Sequence, residues 1–150
     1  MRILAEGLEF PEGPVVAPDG SLLVVEIRRG TLTRIDPRTG TTSVVARPGG
    51  GPNGAAIGPD GACYVCNNGG FHWQRHGDIQ VPTFQPSGYT GGRIERIDLD
   101  TGRVDILYDR VGEHHLRGPN DIVFDAHGGF WFTDLGKSRP RDFCSKKALA

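Results

Sequence analysis

The chain has 150 residues and a net charge of −1, and its acids and bases are mixed along its length. That length holds one ordinary domain with a real core, and the balanced charge argues against a nucleic-acid surface or a disordered acidic tail. Gly (23) and Pro (11) are abundant without a Gly-X-Y period, which excludes collagen and implies many tight turns.

In chain order, the opening MRILAEGLEF carries an apolar run too short for a signal peptide. No stretch approaches the ~20 apolar residues of a membrane span. A cytoplasmic protein with no membrane or nucleic-acid partner is the expectation. Next comes FPEGPVVAPDGSLLVVE (10–26), which aligns without a gap on GPNGAAIGPDGACYVCN (51–67) and GPNDIVFDAHGGFWFTD (118–134). Pro11, Pro52 and Pro119 match, and so do Glu12, Asn53 and Asn120. Gly20, Gly61 and Gly128 follow at a common offset, then Glu26, Asn67 and Asp134. Between these anchors each copy reads as strand, Gly turn, strand.

A second element also recurs. GTLTRIDPRTGTTSVV (30–45) lies over GRIERIDLDTGRVDIL (92–107), with Arg34-Ile35-Asp36 on Arg96-Ile97-Asp98. It predicts a third and a fourth strand joined by a turn. Each unit is then four short antiparallel strands, and no segment shows useful helical periodicity. Four-stranded units repeated at this spacing are the sequence pattern of propeller blades. The expected fold is all-β, a partial propeller of about two and a half four-stranded antiparallel blades. Blade one covers about 9–46, blade two about 51–110, and blade three starts from 118 and has two strands. Residues 2–6 are a candidate outer strand for a closing blade.

The second unit carries an insertion, roughly 69–91, with His72, Trp73, Arg75, His76, Phe84 and Tyr89. A loop this long inside a repeat is either a surface loop packed by its own aromatics or a wall over a pocket. Cys63 and Cys66 have CxxC spacing, yet residues three apart on a strand point to opposite faces, which argues against a shared zinc. With Cys144 they make an odd count, which fits reduced thiols. Closed propellers need at least four blades, so the chain reads as the N-terminal half of a larger protein. Residues 143–150 break the strand pattern and form an atypical tail, either a truncated reading frame or an ordinary short end.

The motifs at 10–20, 51–61 and 117–136 resemble the SMP-30/gluconolactonase/LRE family, over the chain up to about residue 142. That resemblance implies a six-bladed propeller of which residues 1–142 match the first half. It also implies a divalent metal, most often calcium, in a central channel, and hydrolysis of sugar lactones or similar esters. Glu12 resembles the family's metal-binding glutamate. Asn120 resembles an asparagine that contacts substrate or metal, Asn53 has a similar placement, and Arg117 is a candidate substrate contact. Asp121 is expected to hold the turn or orient Asn120, and Asp134 to bond locally at a strand end.

The residues themselves support the metal reading. A polar side chain at the start of each inner strand would converge on one mouth, and oxygen donors suit a hard cation. Further metal ligands and the general base belong to later blades by resemblance, so no catalytic residue is assigned. The expected function is a metal-dependent lactonase in truncated form, acting on a small-molecule lactone or ester. The alternatives are an inactive fragment and a non-catalytic binding propeller. Self-association through the open edge is expected to cover the unpaired face.

Overall fold

A computed structural model describes residues 2–139, so the tail at 143–150 and Cys144 lie outside the described residues. Every regular element among the described residues is a β-strand. In order they are β1 (Pro11–Val16), β2 (Leu22–Glu26), β3 (Thr31–Ile35), β4 (Thr42–Ala46), β5 (Pro52–Ile57), β6 (Cys63–Asn67), β7 (Trp73–His76), β8 (Ile79–Pro82), β9 (Arg93–Ile97), β10 (Val104–Tyr108), β11 (Arg110–Val111), β12 (His114–His115), β13 (Pro119–Phe124) and β14 (Phe130–Asp134).

β1-β2-β3-β4 form one antiparallel sheet in sequence order, and β5-β6-β9-β10 form a second. β13 and β14 pair as a hairpin, as do β7 with β8 and β11 with β12. The β1–β2, β5–β6 and β13–β14 turns carry Gly20, Gly61 and Gly128 at φ 80°, 78° and 84°. This left-handed backbone suits glycine and not a side chain, which explains why that one position recurs.

The two sheets and the β13–β14 hairpin pack face to face in sequence order. Leu23, Val25 and Leu32 meet Ala55, Cys63, Val65 and Ile97 in one buried cluster. Cys66 and Ile94 turn the other way and meet Leu116 and Ile122, with Tyr64, Phe130 and Phe132 at the margin. Cys63 and Cys66 therefore sit in different cores, as the two-residue period of a strand requires. Burial pushes both thiols up to about 12, so neither offers a thiolate at neutral pH.

Glycine sets how closely the layers approach. A Cβ on Gly13 would lie 2.8 Å from the Asn53 carbonyl oxygen and the Ala55 nitrogen, and one on Gly54 would lie 2.4 Å from the Asn120 carbonyl oxygen. Both glycines directly follow a matched polar residue. The contacts run from β1 to β5 and from β5 to β13, so the starts of the three leading strands lie side by side. Residues 2–8 form no strand. Instead the Arg2 guanidinium donates to the Pro37 carbonyl, which lays this segment against the β3–β4 turn and not in a sheet.

Candidate functional site

Each leading strand is bulged where its polar residue sits. The β1–β2 register shifts between Glu12 and Val15, the β5–β6 register between Pro52 and Gly54, and the β13–β14 register between Pro119 and Ile122. Asn53 and Asn120 lie outside the ladder in these bulges, which re-aims their side chains, whereas Glu12 still pairs with Val25 and the bulge falls on Gly13 and Pro14 just after it. Glu12 is exposed, and Asn53 and Asn120 are half-buried. Among the described residues none of these three side chains makes a hydrogen bond or ion pair. Three oxygen-bearing side chains on neighbouring strands are thus left with no internal partner.

The residues that follow at the common offset do the opposite. Pro11, Pro52 and Pro119 pair across the ladder with Glu26, Asn67 and Asp134. These three accept backbone N–H groups from the incoming segment. Glu9 N donates to Glu26 Oε2 at 2.6 Å, Gly51 N to Asn67 Oδ1 at 2.9 Å, and Gly118 N to Asp134 Oδ1 at 2.7 Å. Asp134 also accepts from Arg117 N and Gly136 N. Burial raises its pKa, but those N–H groups and the Arg117 charge outweigh it and hold the carboxyl below the ordinary range. Asp134 is therefore a strand-end anchor, as its position predicts. Asp121 donates its N–H to Thr133 Oγ1, and its carboxylate accepts Ile122 N–H, so it holds the turn.

Each sheet also buries one carboxylate, in different places. In the first it is Glu26 on β2, 0% exposed, accepting from Thr33, Arg29 and Thr31. In the second, Asn67 takes that position and the carboxylate moves across the ladder to Glu95, 1% exposed. Glu95 accepts from Asn67 Nδ2 at 2.9 Å and from Arg93 Nε at 2.5 Å. Burial raises the Glu95 pKa against the pull of Asn67 and Arg93. The swap keeps one hydrogen-bonded charge per sheet, which is what a water-free interior tolerates.

The recurring Arg-Ile-Asp segment has a structural explanation too. Arg34 donates to Asp19 at 2.6 Å and Arg96 to Asp60 at 2.7 Å, tying the third strand to the first turn. A hollow of about 820 Å³ lined by Asp19, Arg34, Asp36 and Arg38 lies at this rim. It is built from turn residues that bond one another, and it lies away from the strand starts.

The insertion folds as the β7–β8 hairpin and its flanks, and it reaches the rim of the strand starts at three points. Trp73 meets Phe10 edge-on, with ring centroids 5.2 Å apart. The Tyr89 hydroxyl donates to the Arg117 carbonyl. Gln85 N donates to the Ser138 carbonyl at 3.1 Å. Phe10, Arg117 and Ser138 adjoin β1, β13 and the exit of β14, so the insertion borders these strand ends. Phe10 sits at φ 58°, a left-handed conformation that costs a bulky residue about 1–3 kcal/mol. Its carbonyl accepts Ile27 N–H at 3.0 Å, and the Trp73 contact helps hold it immediately before Pro11-Glu12.

Two residues at this rim carry no repeat signal. Asn68 is buried beside Asn67, and its Oδ1 accepts from Gly70 N and from Lys137 Nζ, the latter at 2.8 Å. The Lys137 ammonium also lies 3.6 Å from the centre of the Phe71 ring. The LGKS segment after the third repeat and the aromatics of the insertion are the only sequence cues to that pairing.

An all-β stack of four-stranded antiparallel sheets, with leading strands side by side and oxygen-bearing residues at their starts, is a propeller-like arrangement. The family model for the SMP-30/Gluconolactonase/LRE-like region matches residues 10–144, and the chain belongs to that family. A gluconolactonase of Zymomonas mobilis is 22% identical over 89% of this chain and 35% of its own length. Lactonase drp35 of Staphylococcus saprophyticus is 28% identical over 90% of this chain and 36% of its own. Among solved structures, the gluconolactonase XC5397 of Xanthomonas campestris superposes with a TM-score of 0.66 at 21% identity, over 87% of this chain and 37% of that one. A putative gluconolactonase gives 0.64 at 23% identity, over 89% and 39%. The chain thus spans a little over a third of the length of the relatives it matches.

Proposed function

We propose that this chain supplies part of a metal-dependent lactonase centre, acting on sugar lactones or similar esters, within a six-bladed propeller whose other blades it does not contain. The observation that carries this is the set Glu12, Asn53 and Asn120, three unpartnered oxygen-bearing side chains at bulged starts of adjacent strands. Glu12 is exposed and Asn53 and Asn120 are half-buried, so their oxygens are open to an incoming ligand and carry no internal hydrogen bond. One carboxylate with amide oxygens fits a hard cation, most naturally calcium. Three donors fall short of the roughly six to eight that calcium takes, so further ligands come from elsewhere in the complete assembly.

Glu12 would hold the ion, and Asn53 and Asn120 would complete this side of it. When bound, the ion would polarise the lactone carbonyl and favour attack by water, giving the hydroxy acid. Asn120 would orient substrate, and Arg117, whose backbone is anchored on Asp134, would meet its polar groups. The insertion would wall the mouth and limit solvent access. The base that takes the proton from water is not assigned to any of these residues. We place the reaction in the cytoplasm, a reducing compartment that suits the free thiols of Cys63 and Cys66.

A second copy of the chain is the occupant we infer for the open side of the β13–β14 hairpin. Val123 is 61% exposed there and Trp131 71%. β5 packs on β1 and β13 on β5, and the β1 of another copy opens with the same Pro-polar pair. An inactive fragment is the competing reading, favoured by that same exposed face.

The test is thermal unfolding with and without calcium, alongside lactone hydrolysis. Calcium at a hundred times its Kd adds about 2.7 kcal/mol, roughly 5–10 °C in Tm for a chain of this size. Glu12→Gln should abolish both the shift and the turnover. A calcium shift unchanged by Glu12→Gln would overturn the assignment.

A further inference from the structure

The insertion touches the strand that carries Glu12 through a residue whose conformation the other two repeats do not share. Phe10, Gly51 and Gly118 occupy the matched position before the Pro-polar pair. In each repeat the carbonyl of this residue accepts an N–H from the exit of the paired strand, from Ile27 at 3.0 Å, Asn68 at 2.8 Å and Leu135 at 3.1 Å. That hydrogen bond is common to all three, but the side chain is not. A Cβ on Gly51 would run into Asn68 Oδ1 and Gly70 N, and one on Gly118 into the Gly136 carbonyl oxygen. The second and third repeats therefore need glycine there. The first has a phenylalanine, and among the described residues Phe10 is the only non-glycine with a positive φ, 58°.

A second left-handed residue follows the pair. Gly13 sits at φ 51°, whereas Gly54 and Asp121 at the matched position have no positive φ, and neither do Gly51 and Gly118 before the pair. Only Glu12, the one carboxylate of the three polar residues, is bracketed by two left-handed residues. Glycine takes that conformation freely and phenylalanine does not. Such a residue persists only where its surroundings over-determine it, and residues of this kind gather at functional sites. Here the surroundings come from the insertion. Phe10 stays 38% exposed, and its ring meets Trp73 edge-on, with centroids 5.2 Å apart and planes at 61°. Phe71 backs Trp73 at 6.2 Å and 79°, and the Lys137 ammonium lies 3.6 Å from the centre of the Phe71 ring. Edge-on aromatic pairs attract beyond the area they bury, so this row braces Phe10 from a distant part of the chain.

We propose that Trp73 is a positioning residue for the cation site and that, through Phe10, it keeps the left-handed turn that aims the Glu12 carboxylate. The identity of Glu12 as a ligand rests on the lactonase reading; the brace on Phe10 does not. Without Trp73, Phe10 relaxes to an ordinary extended conformation in most molecules and Glu12 leaves its binding pose. Apparent affinity then falls in proportion to the fraction that stays competent. Trp73 touches neither ion nor substrate in this scheme.

The test is calorimetric titration of the full chain with calcium. Trp73→Ala should weaken binding about tenfold, as a competent fraction of about one tenth implies. Trp73→Phe should restore most of the affinity, because it keeps an aromatic edge against Phe10. Phe10→Ala loses the contact and keeps the backbone cost, so it should weaken binding as Trp73→Ala does. Phe10→Gly removes the cost and should bind within about twofold of wild type. In the Phe10→Gly background, Trp73→Ala should then have no further effect, a non-additivity that a general loss of fold does not produce. Equal affinity of wild type and Trp73→Ala overturns the proposal and leaves the lactonase reading standing. An equal loss from Trp73→Ala in the wild-type and Phe10→Gly backgrounds does the same. A wild type that binds no calcium overturns both. Calcium binding with this dependence on Trp73 but without lactone hydrolysis sinks the lactonase reading alone.

Discussion

Gly54→Ala tests the stacking of the leading strands directly. Gly54 is not among the positive-φ glycines, so alanine meets no backbone penalty and the cost is steric. Its Cβ would lie 2.4 Å from the Asn120 carbonyl oxygen and 2.6 Å from the Asp121 Cα. Both are backbone atoms, so no side chain can swing away. Ordinary carbon contacts are about 3.5–4.0 Å, so β13 must retreat by roughly an ångström. Overpacking of this kind costs about 1–3 kcal/mol. A middle value of about 2 kcal/mol lowers Tm by roughly 4–8 °C. Gly88→Ala is the control, because its Cβ meets nothing within 4 Å. The assay is urea unfolding of both variants, with hydrogen exchange on the β13 amides of Gly54→Ala. The expected result is a lower midpoint at unchanged slope and faster exchange in β13. A Gly54→Ala midpoint equal to that of Gly88→Ala would mean that β5 and β13 do not approach as described.

Asp134→Asn should cost about 1–3 kcal/mol at neutral pH, because its amide NH₂ must face an N–H that now loses its acceptor. The native carboxyl sits below its ordinary pKa, so its contribution is present above about pH 3.9 and is lost as pH falls through the lower folded value. The gap between wild type and Asp134→Asn, followed by urea melts from pH 7 to 3, should therefore close on the acid side; a constant gap would refute the anchor. In the Cys144→Ser background the native protein should give no rapid reaction with a thiol reagent, and two thiols in denaturant; rapid reaction of either Cys63 or Cys66 in the folded chain would contradict their burial. Val123→Ser with Trp131→Ser should shift the chain from dimer to monomer in sedimentation, and an unchanged mass would remove the second copy from the open face.

Much of the fold was legible because its rules are local. The turn glycines Gly20, Gly61 and Gly128 recur because a left-handed φ excludes side chains, and alternation along β2 and β6 follows from a two-residue period. Glu12, Asn53 and Asn120 stood out by matching one another, not by any contact. The insertion could be delimited, but its β7–β8 hairpin and its reach to Phe10 could not be read. The outer strand expected at residues 2–6 belongs to a closing blade that the described residues do not include, and here that segment rests on the β3–β4 turn.

What only the tertiary structure decided depends on residues far apart in the chain. Bulges at the strand starts arise from pairing against β2, β6 and β14, and no single segment encodes them. The transfer of a buried carboxylate from Glu26 to Glu95 is visible only once the ladders place Asn67 opposite β9. Lys137 reaches Asn68 across 69 positions of sequence, and its ammonium comes to lie over Phe71. Local backbone preference is written in the order of residues, whereas desolvation and charge belong to whatever the folded chain brings together.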